Sequence, residues 1–245
     1  MRIILILILI ITVALLKAQY PFEKYPAMDY SKRCNWKASE KQNKISLTNS
    51  IPDFFDKKED IKLHIITYSD KGTSLIRIFK NQKQIQEFKE PFAIKRQFDY
   101  LYDTLYYGDI NGDSLIDLKI LCWYGGCGLA SLNMRVIYLF QQPGEKFIKI
   151  SYLNKGKSSC SERDFDGDGN YEIITMELNR FEKHNYWTFN LYNFINGDLV
   201  CVNDKFDYPI MIQYLNKENY TITDKISKNQ IKSFSKDKPH NYDKK

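Results

Sequence analysis

Short runs along this chain alternate apolar and polar residues with a period of two. In "IKLHIITY" (61–68), Ile61, Leu63 and Ile65 share one face and Lys62 and His64 the other, which predicts a half-buried strand with His64 on its solvent side. "SLIRIFKNQKQIQEF" (74–88) reads as two such runs joined at Asn81 and Gln82, a hairpin. "YWTFNLYNFINGDLV" (186–200) does the same, with Trp187, Phe189 and Leu191 on one face and Asn196-Gly197 at the turn. Residues 19–59 lack such a pattern, and Pro21, Pro26 and Pro52 interrupt them, so they are expected to form a mixed lead-in with one short helix. The 18 Tyr and 15 Phe suit pleated sheets and extend the expectation to the whole fold, which should be mainly β.

The N-terminus departs from this pattern. Arg2 precedes an unbroken apolar run from Ile3 to Leu16, followed by Lys17 and Ala18. That run is shorter than the about 20 residues a membrane span needs and fits a secretory signal over 1–18, cleaved after Ala18. No later segment is long enough to span a bilayer, so the mature protein is expected to be secreted, periplasmic or on the cell surface. Export changes the meaning of the five cysteines, because oxidising compartments permit disulfides. One or two bridges are expected: Cys122 with Cys127 around "WYGG", or Cys127 with Cys160, are equally compatible with the spacing, and the odd count leaves at least one thiol unpaired.

The formal net charge of +6 points less to a partner than its size suggests. Arg2 and Lys17 leave with the signal, and seven lysines sit between Lys225 and Lys245. The stretch 223–245 has little periodic apolar content and reads as a basic, mobile tail. No stacking or groove-reading motif accompanies it, so nucleic acid is not the expected partner.

Two acidic stretches align with each other. "YGDINGDSLIDLKI" (107–120) and "RDFDGDGNYEIITM" (163–176) set Asp109 and Asp164 at equivalent positions, 55 residues apart. Downstream, Tyr138 and Phe140 align with Tyr192 and Phe194, each pair leading to a turn with glycine. Three related β units follow, near 60–97, 98–152 and 153–206, within a domain of 60–222. Each is too small to bury a sheet face alone, so stacked antiparallel hairpin units are expected, in a reduced or open propeller-like assembly.

A calcium loop places side-chain oxygens at positions 1, 3 and 5, a backbone carbonyl at 7, and glycine where the chain turns sharply. The second stretch supplies Asp164, Asp166 and Asp168, Gly169 at the turn, the Asn170 carbonyl, and Glu172 at position 9. The first supplies Asp109, Asn111 and Asp113, the Leu115 carbonyl and Asp117, with Ser114 where glycine is wanted. Asn111-Gly112 and Asp166-Gly167 would also suit tight turns without metal. Four acidic or amide positions at ligand spacing, occurring twice, favour a cation. Hard oxygen donors without His or Cys select Ca2+.

An EF-hand would need Glu at position 12, where Ile120 and Thr175 stand, and strand-like "DLKILCW" and "EIITMEL" follow in place of helices. On "DINGDSLIDL" (109–118) and "DFDGDGNYEI" (164–173) the sequence resembles the FG-GAP and VCBS-type repeats of integrin-like β-propellers and bacterial surface proteins. The resemblance implies that Asp109, Asn111, Asp113 and Asp117, and Asp164, Asp166, Asp168 and Glu172, ligate calcium between two strands. The chain lacks the Phe-Gly and Gly-Ala-Pro signatures of that family and is too short for a seven-bladed ring.

No catalytic motif of the GxSxG or HExxH kind occurs, and there are only three histidines. Tyr100, Tyr102 and Tyr106, with Trp123 and Tyr124, could stack on sugar rings or pack across strands. The expected function is that of an exported, non-catalytic protein with structural calcium that presents a surface to a glycan or another protein. The alternative is a secreted hydrolase braced by the same calcium loops.

Overall fold

The computed structural model describes residues 20–34, 36–41, 43–55, 59–68, 72–94, 101–123, 127–156, 162–213, 221–222 and 226–245. The expected signal, Cys160, Tyr100 and Tyr124 lie outside them. The chain is mainly β, in antiparallel sheets of which none closes into a barrel. In chain order the strands are β1 (Ser31–Cys34), β2 (Lys37–Lys41), β3 (Lys44–Phe55), β4 (Glu59–Tyr68), β5 (Thr73–Lys80) and β6 (Lys83–Glu90). Next come β7 (Leu101–Gly108), β8 (Asp117–Trp123), β9 (Asn133–Gln142) and β10 (Lys146–Lys155). The remainder are β11 (Ile173–Phe181), β12 (His184–Ile195), β13 (Asp198–Cys201), β14 (Ile210–Gln213), β15 (Thr221–Ile222) and β16 (Asp243–Lys244).

Three sheets form: β2-β3-β4-β5-β6, β1-β7-β8-β9-β10-β16, and β11-β12-β14-β15 with β13 also paired to β12. The strand at 61–68 and the hairpins with turns at 81–82 and 196–197 stand where the period of two places them. Ile61, Leu63 and Ile65 are buried and Lys62 is exposed, with His64 half-buried between.

The sheets stack face to face with the second in the middle. Leu47, Ile61, Leu63, Ile65, Ile76 and Ile78 of the first sheet meet Leu118, Ile120, Ile137 and Leu139 of the second in one core. Val136, Tyr138, Phe140 and Tyr152, from the other face of the second sheet, meet Ile173, Tyr192 and Phe194 of the third. Trp187, Phe189 and Leu191 cover the far side of the third sheet and pack under Phe22 and Tyr208. Strand β12 is therefore buried on both faces, with Trp187, Phe189 and Leu191 on one and Tyr186, Tyr192 and Phe194 on the other, and it buries Thr188, Asn190 and Asn193 among them.

Each inter-sheet layer also buries an ion network. Between the first and second sheets, Glu90 receives Arg135 Nε at 2.9 Å, and Lys149 Nζ and Ser151 Oγ each at 2.7 Å. Between the second and third, Lys119 Nζ lies 2.7 and 2.9 Å from the two carboxylate oxygens of Glu162. Tyr30 donates to Glu162 Oε2 at 2.7 Å, and Tyr138 donates to Oε1.

Three expectations are corrected. The lead-in of 19–59 is largely strand: a 3-10 turn at Pro21–Lys24 is followed by β1, β2 and β3, and β3 buries Leu47, Asn49 and Ile51 in the first sheet. Its Pro52 is tolerated because the register with β4 shifts between Ile51 and Phe55, where no ladder donor is needed. The basic tail is docked over its described part, 226–245. A short helix, α1 (Lys228–Lys232), is capped by Ser227, and β16 pairs with β10. Lys149, fully buried, recruits Asp243 at 2.5 Å, while Arg135 Nη1 donates to the Asn241 carbonyl at 2.7 Å. A buried ammonium needs a carboxylate, and this one comes from the tail. Finally, among the described residues Cys34, Cys122, Cys127 and Cys201 are free thiols, so the Cys122–Cys127 bridge does not form, while Cys160 of the alternative pairing lies outside them. Cys122 is fully buried because it continues the inward alternation of Leu118 and Ile120 on β8, whereas Cys127 is at the surface.

Candidate metal centre

The two acidic loops occupy comparable places. Loop one, 109–116, joins β7 to β8 in the second sheet. Loop two follows Arg163, which bridges both Ala27 and Glu172, and leads into β11 of the third. Each loop folds around its own carboxylates through the same backbone bonds. The residue at position 1 accepts from positions 4 and 6: Asp109 from Gly112 and Ser114, both at 2.8 Å, and Asp164 from Gly167 at 2.7 Å and Gly169 at 3.3 Å. Position 5 accepts from position 7, Asp113 from Leu115 at 2.9 Å and Asp168 from Asn170 at 2.8 Å. Position 9 accepts from position 2, Asp117 from Ile110 at 3.0 Å and Glu172 from Phe165 at 2.8 Å. These are the side-chain-to-backbone bonds that Asp favours in turns. Ser114 takes the left-handed conformation with φ 67°, where Gly169 has φ 82°, so the serine fills the glycine position at a local cost of roughly 1–2 kcal/mol.

The loops touch. A Cβ on Gly112 would stand 3.0 Å from the carbonyl carbon and oxygen of Gly169, so only glycine permits this approach. The Tyr171 amide donates to the Ile110 carbonyl at 2.9 Å. The N-terminal segment closes the other side: Asp164 N donates to Pro26 O at 3.0 Å, and Arg163 Nη1 to the carbonyls of Glu23 at 3.1 Å and Tyr25 at 2.6 Å.

The loops differ in what their acids can still do. In loop one, Asp117 is buried with both oxygens taken, Oδ2 by Ile110 and Oδ1 by the Gln141 amide at 2.8 Å. Burial pushes its carboxyl up to about 8 despite those two donors, with Asp113 and Asp109 adding to the rise. Asn111 donates to Asp113 at 2.9 Å, leaving Asn111 Oδ1 buried and without a partner. In loop two, Glu172 is one methylene longer. Its Oε2 takes the Phe165 amide, and its Oε1 is buried without a hydrogen bond of ordinary geometry, the Asn193 side chain standing close enough to favour the charged carboxylate by hydrogen bonding. Oxygens of Asp164, Asp166 and Glu172 lie within 4.8 Å of one another, the one such group of potential ligands among the described residues. Asn170 Oδ1, beside them in sequence, is likewise buried and unpaired. Asp168 is exposed and lies outside the group.

A residue without any signal in the loop motif completes the site. Lys205, from the 3-10 turn Asn203–Lys205, donates its ammonium to Asp166 Oδ2. That contact, ahead of every other influence, holds the Asp166 carboxyl below its ordinary value. Glu172 is shifted the opposite way, raised first by burial and then by repulsion from Asp166. Of the expected aromatic stripe, Tyr106 packs against Tyr30 with ring centroids 5.7 Å apart, and Trp123 donates to the Ser131 carbonyl. Both serve cross-strand packing or local turns.

Loop two can offer three carboxylates converging on one point, one of them dehydrated and with an oxygen that lacks a hydrogen bond of ordinary geometry. An uncompensated buried carboxylate oxygen is costly, and a divalent ion bound by such hard oxygens would remove that cost. No family model, curated protein or solved structure matches the chain.

Proposed function

We propose that this is an exported, calcium-stabilised β module with a structural role for the ion, one that presents a surface to a partner and performs no chemistry of its own. One observation carries the calcium reading: Glu172, whose Oε1 is buried without a hydrogen bond of ordinary geometry, brings a carboxylate oxygen within 4.8 Å of oxygens of Asp164 and Asp166. Flexible, oxygen-only coordination suits Ca2+ better than Mg2+ or Zn2+. The resemblance of both loops to FG-GAP and VCBS repeats supports the same ion, and stacking of successive antiparallel sheets is the packing that propeller blades use. Loop one serves as the wall against which loop two is set. Bound calcium would fasten loop two to that wall and to the N-terminal segment, joining three parts of the chain.

Two cavities formed by described residues lie away from the loops. One, of about 400 Å³, is lined by Tyr208, Pro209, Met211 and Ile226 with Asp207 as its only acid. The other, of about 250 Å³, contains Arg135 and, as its only acid, Asp243. Neither supplies the pair of carboxylates a glycosidase would need. The test is thermal unfolding of chelator-treated protein with and without Ca2+. At calcium a hundredfold above Kd, mass action adds about 2.7 kcal/mol, which raises Tm by roughly 5–10 °C in a chain of this size. Asp166→Ala should abolish the rise; an unchanged wild-type Tm would reject the reading.

A further inference from the structure

The first sheet packs one face onto the second sheet and turns the other outward. Cross-strand partners share a face, so the registers fix what the outward face carries. Lys37 stands opposite Thr48, Thr48 opposite His64, and His64 opposite Arg77. On the same side, Lys41 stands opposite Lys44, Lys62 opposite Phe79, and Lys89 opposite Leu75. Each of the five strands therefore contributes at least one cation. The acids on this side are already engaged: Glu87 accepts from Arg77 Nε at 2.6 Å, and Asp60, at the start of β4, accepts from the Asp53 amide at 3.2 Å. Among the described residues none of the five lysines has an ion pair.

Solubility alone does not ask for this arrangement, which mixed charges would provide. Lysines also protect the edges of sheets from pairing with other chains, and that accounts for Lys37 and Lys41 on β2 and Lys89 on β6. It does not account for Lys44 and Lys62, which stand on the interior strands β3 and β4, whereas Arg77 on β5 answers Glu87. Placing Lys41 directly across from Lys44 is unfavourable for the sheet itself. With strands spaced about 4.8 Å apart, the cations are spread over a face roughly 19 Å across, in four successive rows of the register that run from Lys62 to Lys41 and Lys44. Ser46, Thr48 and Ser50 lie among them and offer hydroxyls, Ser46 Oγ being 2.5 Å from His64 Nε2.

This chemistry matches a polymer with closely repeated negative charges and many hydroxyl groups. Bases would need an open aromatic platform, but the Phe79 ring has Lys62 Nζ 5.9 Å from its centroid and lies tilted by 37° against His64. We propose that the outward face of the first sheet docks an anionic polysaccharide, its sulfate or carboxylate groups on the lysines and Arg77 and its hydroxyls on the serines and Thr48. This names the partner of the proposed binding module and rests on that part of the reading, while being independent of calcium.

The test titrates a heparin oligosaccharide at low salt into three proteins: wild type, Lys44→Ala/Lys62→Ala, and the charge-matched control Lys228→Ala/Lys232→Ala on α1. Melting temperatures verify that all three are folded, and Lys44→Gln/Lys62→Gln replaces the first variant should it unfold. The expected result is about tenfold weaker binding for the face variant alone, with oligothymidylate and anionic lipid vesicles bound more weakly than heparin by wild type. Equal losses in the two variants, no heparin binding, or tighter binding of oligothymidylate or vesicles would overturn the proposal. Loss of heparin binding with intact calcium binding removes only this face; loss of calcium binding with intact heparin binding removes only the metal centre.

Discussion

Replacing Glu162 by Gln would strip the charge from the hub of the ion network between the second and third sheets. The Glu162 side chain is 1% exposed and that of Lys119 is 8% exposed, so neither partner can turn to water. Glu162→Gln leaves the Lys119 ammonium buried and uncompensated and places a donor amide among the hydroxyls of Tyr30 and Tyr138. Breaking one side of a buried pair costs about 3–5 kcal/mol, which for a chain of this size lowers Tm by roughly 10 °C. The pair is also expected to set an acid limit. Burial acts to raise the Glu162 carboxyl, but Lys119 and the two tyrosine hydroxyls outweigh it and hold the group below its ordinary value. A carboxyl depressed in the folded state binds fewer protons there than in the unfolded chain, so its stabilisation is complete above the ordinary glutamate range and is lost as pH falls through the folded value. Thermal melts of wild type and Glu162→Gln across acidic pH are the assay: the variant should be less stable at neutral pH and should lose less on acidification. A double variant, Lys119→Met/Glu162→Leu, should recover part of the loss, because an apolar pair of similar size can replace a buried ion pair. A loss below about 1 kcal/mol in Glu162→Gln, or a double variant as unstable as the sum of the single changes, would refute the reasoning.

Lys205→Met should raise calcium affinity roughly fivefold, since the ammonium on Asp166 competes with the ion; unchanged affinity in a calorimetric titration would show that the lysine stands clear of the site. Removing residues 236–245 should lower Tm and expose the end of the second sheet to limited proteolysis. It deletes the β16 pairing and the Asp243 contact to buried Lys149, and an unchanged cleavage pattern would contradict the docking of the tail.

How far the sequence could be read depended on how local each determinant is. The strand at 61–68 and the Asn196-Gly197 hairpin were legible because alternation and turn chemistry act within a few residues. Both acidic loops were legible for the same reason, since their frame bonds span at most seven positions, as in Ile110 to Asp117. Strands β1 and β2 were not, because they are exposed along their whole length and carry no apolar period to read. The docked tail was hidden by its composition: what fixes it is one carboxylate, Asp243, answering an ammonium 94 positions away. Lys205 was hidden too, 39 positions from Asp166 and outside any motif. The difference between the loops rests on a single methylene. Asp117 and Glu172 look interchangeable in sequence, yet only the longer side chain keeps an oxygen beyond the reach of the backbone donors.

The most direct measurement is a calorimetric titration of Ca2+ into chelator-treated wild type, Glu172→Gln and Asp113→Asn. Glu172→Gln retains an acceptor for the Phe165 amide while removing the charge of the convergent carboxylate, and Asp113 belongs to the loop without a convergent group among the described residues. One calcium per chain in wild type and in Asp113→Asn, with none in Glu172→Gln, is the predicted result. Binding that survives Glu172→Gln, or that never occurs in wild type, would contradict a metal centre built on loop two.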